Sequence, residues 1–167
     1  MSFSIVYSSQ TGNTRMLAET IQSVLPEEQC LYFGTPDDKA LEADRIYVGF
    51  WTNIGTCDEA VAAFLKKIGS QQVFLFGTAG FGGAPEYFDA VLQKVRSNLG
   101  EQAQVIGTYM CQGKMPSAVR QRYEKMLEQP EMQARAQRSI ENFDRALTHP
   151  DAADLETLAQ MIHAKEA

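Results

Sequence analysis

Short apolar runs alternating with amphipathic stretches constrain this chain more than any other feature. Phe3–Tyr7, Arg45–Gly49, Gln72–Phe76 and Gln104–Met110 are rich in β-branched or aromatic residues, and each ends in glycine or hydroxyl residues. A weaker run, Cys30–Phe33, precedes "GTPDD". Strands that read as apolar on both faces belong to a parallel sheet covered by helices on each side. Between them the period changes to that of a helix. Thr14–Leu25 places Met16, Leu17, Ile21, Val24 and Leu25 on one face and stops before Pro26. Asp58–Ile68 repeats the pattern with Val61, Phe64, Leu65 and Ile68, and Pro85–Leu99 with Phe88, Val91, Leu92 and Val95. These two end at Gly69 and Gly100. Such alternation, with right-handed crossovers, predicts an α/β fold: a three-layer, doubly wound, five-stranded parallel sheet.

Beyond Met110 the pattern predicts only helix: Ser117–Glu128, Glu131–Leu147 and Asp151–Lys165, the last capped by Asp151. The expected organisation is one domain over 1–148, with a C-terminal helix over 149–167 packed on or extending it. A length of 167 residues, 44% of them apolar, is enough to bury a core for one domain. The net charge of −6 would repel nucleic acid and anionic membranes, so neither is an expected partner. Cys30, Cys57 and Cys111 are odd in number and form no CxxC, which disfavours a disulfide framework or a zinc site and points to a reducing cytoplasm. The start, "MSFSIVYSS", has no basic n-region, and no window is apolar for long enough to span a membrane; neither a signal nor a span is expected.

Ligands of open α/β sheets bind outside the carboxyl ends of the strands. Three segments fall there: "SSQTGNT" (8–14), "FWTNIGT" (50–56) and "GTAGFGG" (77–83). In the first, Ser9, Thr11 and Thr14 offer hydroxyls, and Gly12 lets backbone N–H groups converge between Gln10 and Asn13. The positive end of the following helix opens into the same space. This describes a phosphate cradle, or a capped β–α turn. No GxxxxGK[ST] and no GxGxxG is present, and the absence of Lys or Arg within the loop suits a phosphomonoester held by neutral donors. The second segment, with Thr52 and Asn53, carries the only tryptophan, Trp51, and the pair Ile54-Gly55. Trp51 either covers a planar ligand or closes the core. The third, Thr78, Ala79, Gly80, Phe81 and Gly82, offers close backbone approach and an aromatic that either stacks or folds inward. Together the three describe a site for a phosphorylated planar heterocycle shaped like flavin mononucleotide (FMN).

These motifs resemble the flavodoxin family. Residues 9–14, "SQTGNT", match its phosphate pattern Ser/Thr-x-Thr-Gly-x-Thr directly after the first strand, and "GTAGFG" (77–82) is similar to its third flavin-contacting loop. "FWTNIGT" departs from the family's usual sequence except at Ile54 and Gly55. The resemblance covers roughly residues 3–148. It implies strand order 2-1-3-4-5, FMN as cofactor, and Ser9–Thr14, Trp51–Gly55 and Thr78–Gly82 as cofactor-binding residues. A narrower resemblance is carried by "VGFWT", "GTCDE", "FLFGTAGFGG", "CQGKMP", "VRQRYEKML" and "DRALTHPD". It is to the flavodoxin-like BilS group, which accompanies the bilirubin reductase of gut anaerobes. It implies electron supply to a tetrapyrrole-reducing partner.

Nothing suggests a catalytic apparatus in the chain itself. His149 and His163 lie in the helical tail, no cysteine has arginine six positions on, and the first strand does not end in paired acids. Cys57 reads as a small apolar residue of a packed turn. With no cation expected near the ring, and Asp58, Glu59 and Glu86 in adjoining segments, the reduced flavin would be disfavoured. A low-potential, non-enzymatic electron carrier follows. Residues 114–138 carry net +3 and 139–167 net −4, which reads as a solvated helical face before it reads as a docking surface. The expected partner is a redox protein, with the chain a monomer or weak homodimer. Alternatives are an NAD(P)H-dependent quinone or azo reductase and a flavin-free scaffold.

Overall fold

The computed structural model describes residues 1–82 and 84–166. Strands β1 (Phe3–Tyr7), β2 (Cys30–Gly34), β3 (Arg45–Trp51), β4 (Gln72–Ala79) and β5 (Gln104–Gln112) form one sheet. All its pairings are parallel, in the order β2-β1-β3-β4-β5. The doubly wound expectation holds. The chain crosses the sheet through α1 (Asn13–Val24), α2 (Glu59–Lys67) and α3 (Pro85–Arg96), but no α-helix joins β2 to β3, where a 3-10 turn over Asp38–Glu42 suffices.

Two cores sandwich the sheet. On one face Val61, Phe64 and Leu65 of α2 and Val91, Leu92 and Val95 of α3 pack on Val48, Val73 and Leu75. On the other, Leu17 and Ile21 of α1 pack with Phe3, Ile5, Tyr47 and Phe74. Every inward position of β1, β3 and β4 is thereby buried from both sides, which is why these runs lack polar alternation.

Several boundaries differ from the sequence expectation, β5 among them, which runs on to Gln112. β3 reaches Trp51 and β4 reaches Ala79, because the ladder continues through Phe50↔Gly77 and Trp51↔Thr78. A glycine and a threonine read as turn punctuation there. In the sheet, the absent side chain of Gly77 leaves the space filled by the Phe50 ring. Trp51, Thr78 and Ala79 are therefore strand residues. α3 ends at Arg96, not at Gly100: the Asn98 amide donates to the carbonyls of Val95 (3.1 Å) and Lys94 (3.4 Å) and closes the helix early.

The segment after β5 holds α4 (Ser117–Met126), α5 (Gln133–Ala146) and α6 (Ala152–Glu166). α6 packs on α1, and its Leu158 and Ile162 are fully buried in the same core as Leu17 and Ile21. Its start is a reciprocal cap: Asp154 N–H donates to Asp151 Oδ1, and Asp151 N–H to Asp154 Oδ2, both at 2.9 Å. Among the described residues no helix is long and apolar enough to cross a membrane.

Candidate functional site

The carboxyl ends of β1, β3 and β4 open onto a cleft of about 470 Å³. Gln10, Thr11 and Asn13 line it from the first loop, Trp51 to Gly55 from the second, and Thr78 to Phe81 from the third. Ser9, Gly12, Thr14 and Gly82 are not among its lining residues.

Two of the three expected hydroxyls brace the first loop rather than line the cleft. Ser9 Oγ accepts from Gly12 N–H (3.1 Å) and Arg15 N–H (3.4 Å). Thr14, fully buried, donates to the Phe50 carbonyl and lies 3.2 Å from Thr78 Oγ1. Gly12 sits at φ +89°, the left-handed region that glycine adopts freely. Gly12 at the N-cap of α1 offers no side-chain cap, so in the first turn only Arg15 N–H is met, by Ser9, and the turn carries no acid. Among the described residues no acceptor engages the N–H groups of Gln10, Thr11, Asn13 or Thr14. Asn13 Oδ1 is buried without a partner as well. Orphan donors at a helix start, with the dipole behind them, are complementary to a phosphate, and an orphan amide oxygen is complementary to a hydroxyl. The residues present fit FMN.

The second loop is a two-residue hairpin. Asn53 N–H donates to Thr56 O (2.7 Å) and Thr56 N–H to Asn53 O (3.2 Å), leaving Ile54 and Gly55 at the tip with φ +48° and +78°. Gly55 suits such a turn; Ile54, β-branched and 95% exposed, is strained in it. Trp51 is fixed from behind, its Nε1–H donating to Asp58 Oδ2 at 3.2 Å. The same carboxylate accepts from Ser8 Oγ and, through Oδ1, from Val61 N–H at 3.0 Å, capping α2. Trp51 thus lines the cleft rather than simply closing the core.

The third loop is held through one carbonyl. Gly80 O accepts from Gln112 Nε2 (2.9 Å) and from Asn142 Nδ2 of α5 (3.0 Å), and Gln112 Nε2 also donates to Asn142 Oδ1 (3.0 Å). Phe81 is 46% exposed and meets Tyr87 edge to face at 6.1 Å, so it is not folded into the core.

Sequence reasoning missed the fourth wall. Tyr87 of α3, Gly113 to Pro116 after β5, and Val119 and Arg122 of α4 complete the cleft. Lys114 is clamped: its carbonyl accepts from Asn13 Nδ2 (2.8 Å) and Thr11 Oγ1 (3.3 Å), and its N–H donates to His149 O (3.0 Å). A Cβ at Gly113 would strike the Asn13 amide, so glycine is required for this approach. The expected absence of cations is corrected here: Lys114 and Arg122 line the cleft, while Asp58 is turned to Ser8, Trp51 and α2, and neither Glu59 nor Glu86 lines it. Of the stretch 114–138, Lys114 to Pro116, Val119 and Arg122 line the cleft. The available signals were the net positive charge of that stretch and the i, i+3 spacing of Val119 and Arg122.

Burial pushes the Cys57 thiol up and the Cys111 thiol up to about 12, so neither offers a thiolate at neutral pH. His149 Nδ1 lies 2.6 Å from Asp154 Oδ2 and 3.7 Å from Asp151 Oδ2, but both carboxylates are committed to capping α6.

A flavodoxin domain model matches residues 4–163. The chain is 40% identical over 172 aligned positions to the flavodoxin-like domain-containing protein BilS of Clostridium symbiosum, covering 93% of this chain and 90% of that one. It is 26% identical to the BilS of Clostridioides difficile, over 90% and 88%. Among solved structures, oxidised flavodoxin 2 from Bacillus cereus superposes over the full length of both chains at a TM-score of 0.60 and 16% identity. The two-electron reduced flavodoxin of Megasphaera elsdenii does so at 0.51 and 27%, covering 70% of this chain and 89% of that one.

Proposed function

The chain belongs to the flavodoxin domain family, and on that premise we propose that it binds FMN and donates electrons at low potential to a partner reductase. The observation that carries this reading is the start of α1, where the N–H groups of Gln10, Thr11, Asn13 and Thr14 are unengaged among the described residues, beside the cleft. Bound there, FMN supplies one-electron chemistry that no side chain of the protein possesses.

The chain's own residues hold and tune that cofactor. Neutral donors of the first loop take the phosphate, and the Lys114 carbonyl fastens Thr11 and Asn13 beside it. Trp51, Tyr87 and Phe81 give the cleft flat apolar walls, and Met115 and Val119 close it on the α4 side. The two cations favour an anionic reduced ring and so oppose a low potential. Apolar walls that exclude water disfavour the same charge. The proposal is that the walls prevail. The partner proposed from the resemblance to the BilS group is a tetrapyrrole-reducing enzyme.

The test is ligand discrimination followed by reductive titration. FMN binds at least about a hundredfold more tightly than riboflavin if the cradle holds a phosphate, a difference of roughly 2.7 kcal/mol. Dithionite titration under argon then shows two separated one-electron steps, and NADPH alone does not reduce the cofactor. Equal affinity for FMN and riboflavin sinks the cradle. Direct oxidation of NADPH makes the chain a flavin reductase instead.

A further inference from the structure

We infer that the mouth of the cleft is a docking surface for an acidic redox protein, seated against Lys114, Arg122 and Lys125 with Ile54 and Phe81 as its apolar contacts. The inference rests on the FMN reading above and adds the chemistry of the partner.

Charge is distributed against the average here. The chain has 21 acidic residues and a net charge of −6, yet no Asp or Glu is among the described residues lining the cleft, and two cations are. Lys114 and Arg122 are both exposed, and neither makes an ion pair among the described residues. The contrast with Arg120 is informative. That guanidinium is committed to the structure, donating to Asp144 Oδ1 (3.0 Å) and Oδ2 (3.1 Å) and pairing with Glu124. Arg122 faces the cleft with Val119, and Lys125, exposed and likewise unpaired, continues the same face one turn on. The cations of α4 therefore divide into Arg120, which ties α4 to α5, Arg122, which lines the cleft, and Lys125, which lies one turn beyond it and is unpaired among the described residues.

Across the cleft the rim is apolar. Ile54 is 95% exposed on a strained turn and Phe81 is 46% exposed; both line the mouth. A partner face with an apolar centre and carboxylates on one side would cover Ile54 and Phe81 and pair with the free cations. Charge steers and orients the encounter, while the apolar contacts hold it.

The FMN-loaded, reduced protein is mixed by stopped flow with two probes: oxidised rubredoxin, an acidic iron protein, and cytochrome c, a basic one. In each encounter one electron leaves the reduced cofactor and turns the probe's ferric iron ferrous. Docking as inferred makes the rubredoxin rate constant fall roughly tenfold as salt is raised from low ionic strength to about 0.5 M. Lys114→Gln, Arg122→Gln and Lys125→Gln together abolish that dependence. A rubredoxin rate that rises with salt, as the net charge of −6 alone dictates, overturns the inference and leaves the cofactor reading intact. So does a wild-type chain that sediments as a dimer which the triple variant dissociates, because the occupant is then a second copy. Failure to take up FMN overturns both.

Discussion

Asp58 shows how much one side chain near the site carries. Its carboxylate caps α2 through Val61 N–H, receives Ser8 Oγ, and anchors the indole of the chain's only tryptophan. Asp58→Ala removes the cap and leaves a serine and an indole N–H without their acceptor. The expected loss is about 2 kcal/mol in urea unfolding, and FMN affinity falls with it because Trp51 is no longer held. Asp58→Asn keeps one acceptor oxygen, which can serve Trp51 or the Val61 N–H but not both, so it should recover part of the FMN affinity. Equal effects of the two variants on affinity would show that Trp51 needs no anchor. The cysteines make a second residue-scale prediction. Ellman's reagent at pH 8 should label only half-buried Cys30 quickly in the native protein, and all three thiols in urea. Cys111 is an acid whose folded pKa is raised, by burial first, to about 12, against about 8.5 unfolded. Between those values the folded state keeps a proton that the unfolded state has lost, so stability falls as pH rises through that window. Cys111→Ala should flatten the fall. It leaves the part due to Tyr109, whose phenol is also pushed up by burial.

At the scale of elements, what the sequence revealed and what it hid have different physical causes. Strands buried on both faces announce themselves as unbroken apolar runs, which made β1, β3 and β4 legible. The edge strands β2 and β5 are only half-buried and were legible from their β-branched and aromatic residues, β2 more weakly. The first loop was legible too, because glycine and hydroxyls follow a strand directly. Strand ends were not, because Gly77 reads as a turn from the chain and as a packing site for Phe50 only from the sheet. The fourth wall of the cleft was hidden for a stronger reason. Met115, Pro116, Val119 and Arg122 are brought to the site by tertiary ties: Lys114 is held by Thr11 and Asn13, and α5, which packs on α4, is tied to the third loop. Asn142 makes that tie, 7% exposed and bonded to Gly80 O and Gln112. Asn142→Leu leaves the Gln112 amide with one acceptor fewer and unhooks α5. The expected cost is about 1–3 kcal/mol. Hydrogen exchange over residues 79–82 and 114–126 should quicken, with weaker FMN binding. Quickening confined to α5 would show that the third loop is held by Gln112 alone.

Taken as a molecule, the protein divides the chain after β5 between two tasks. α6 fills the sheet face beside α1, and without it Leu17 and Ile21 would face water. α4 buries no residue fully and instead walls the cleft. Stability and cofactor binding should therefore respond separately to mutations only a few turns apart in sequence. Leu158→Ala opens a cavity at a fully buried position and should cost about 3 kcal/mol of unfolding free energy. FMN affinity, measured where the variant is still folded, should change little. Val119→Ala removes two methyl groups from the wall of the cleft and no core contact. It should weaken FMN about fivefold, near 1 kcal/mol, with little change in the urea midpoint. Paired denaturation and FMN titrations of the two variants decide the matter. If Leu158→Ala weakens FMN as much as Val119→Ala does, strain in the α1–α6 layer reaches the first loop at the start of α1, and the two tasks are one. If the effects separate, the acidic terminal helix α6 is scaffold, and basic α4 is the part of the tail that meets the ligand of the cleft.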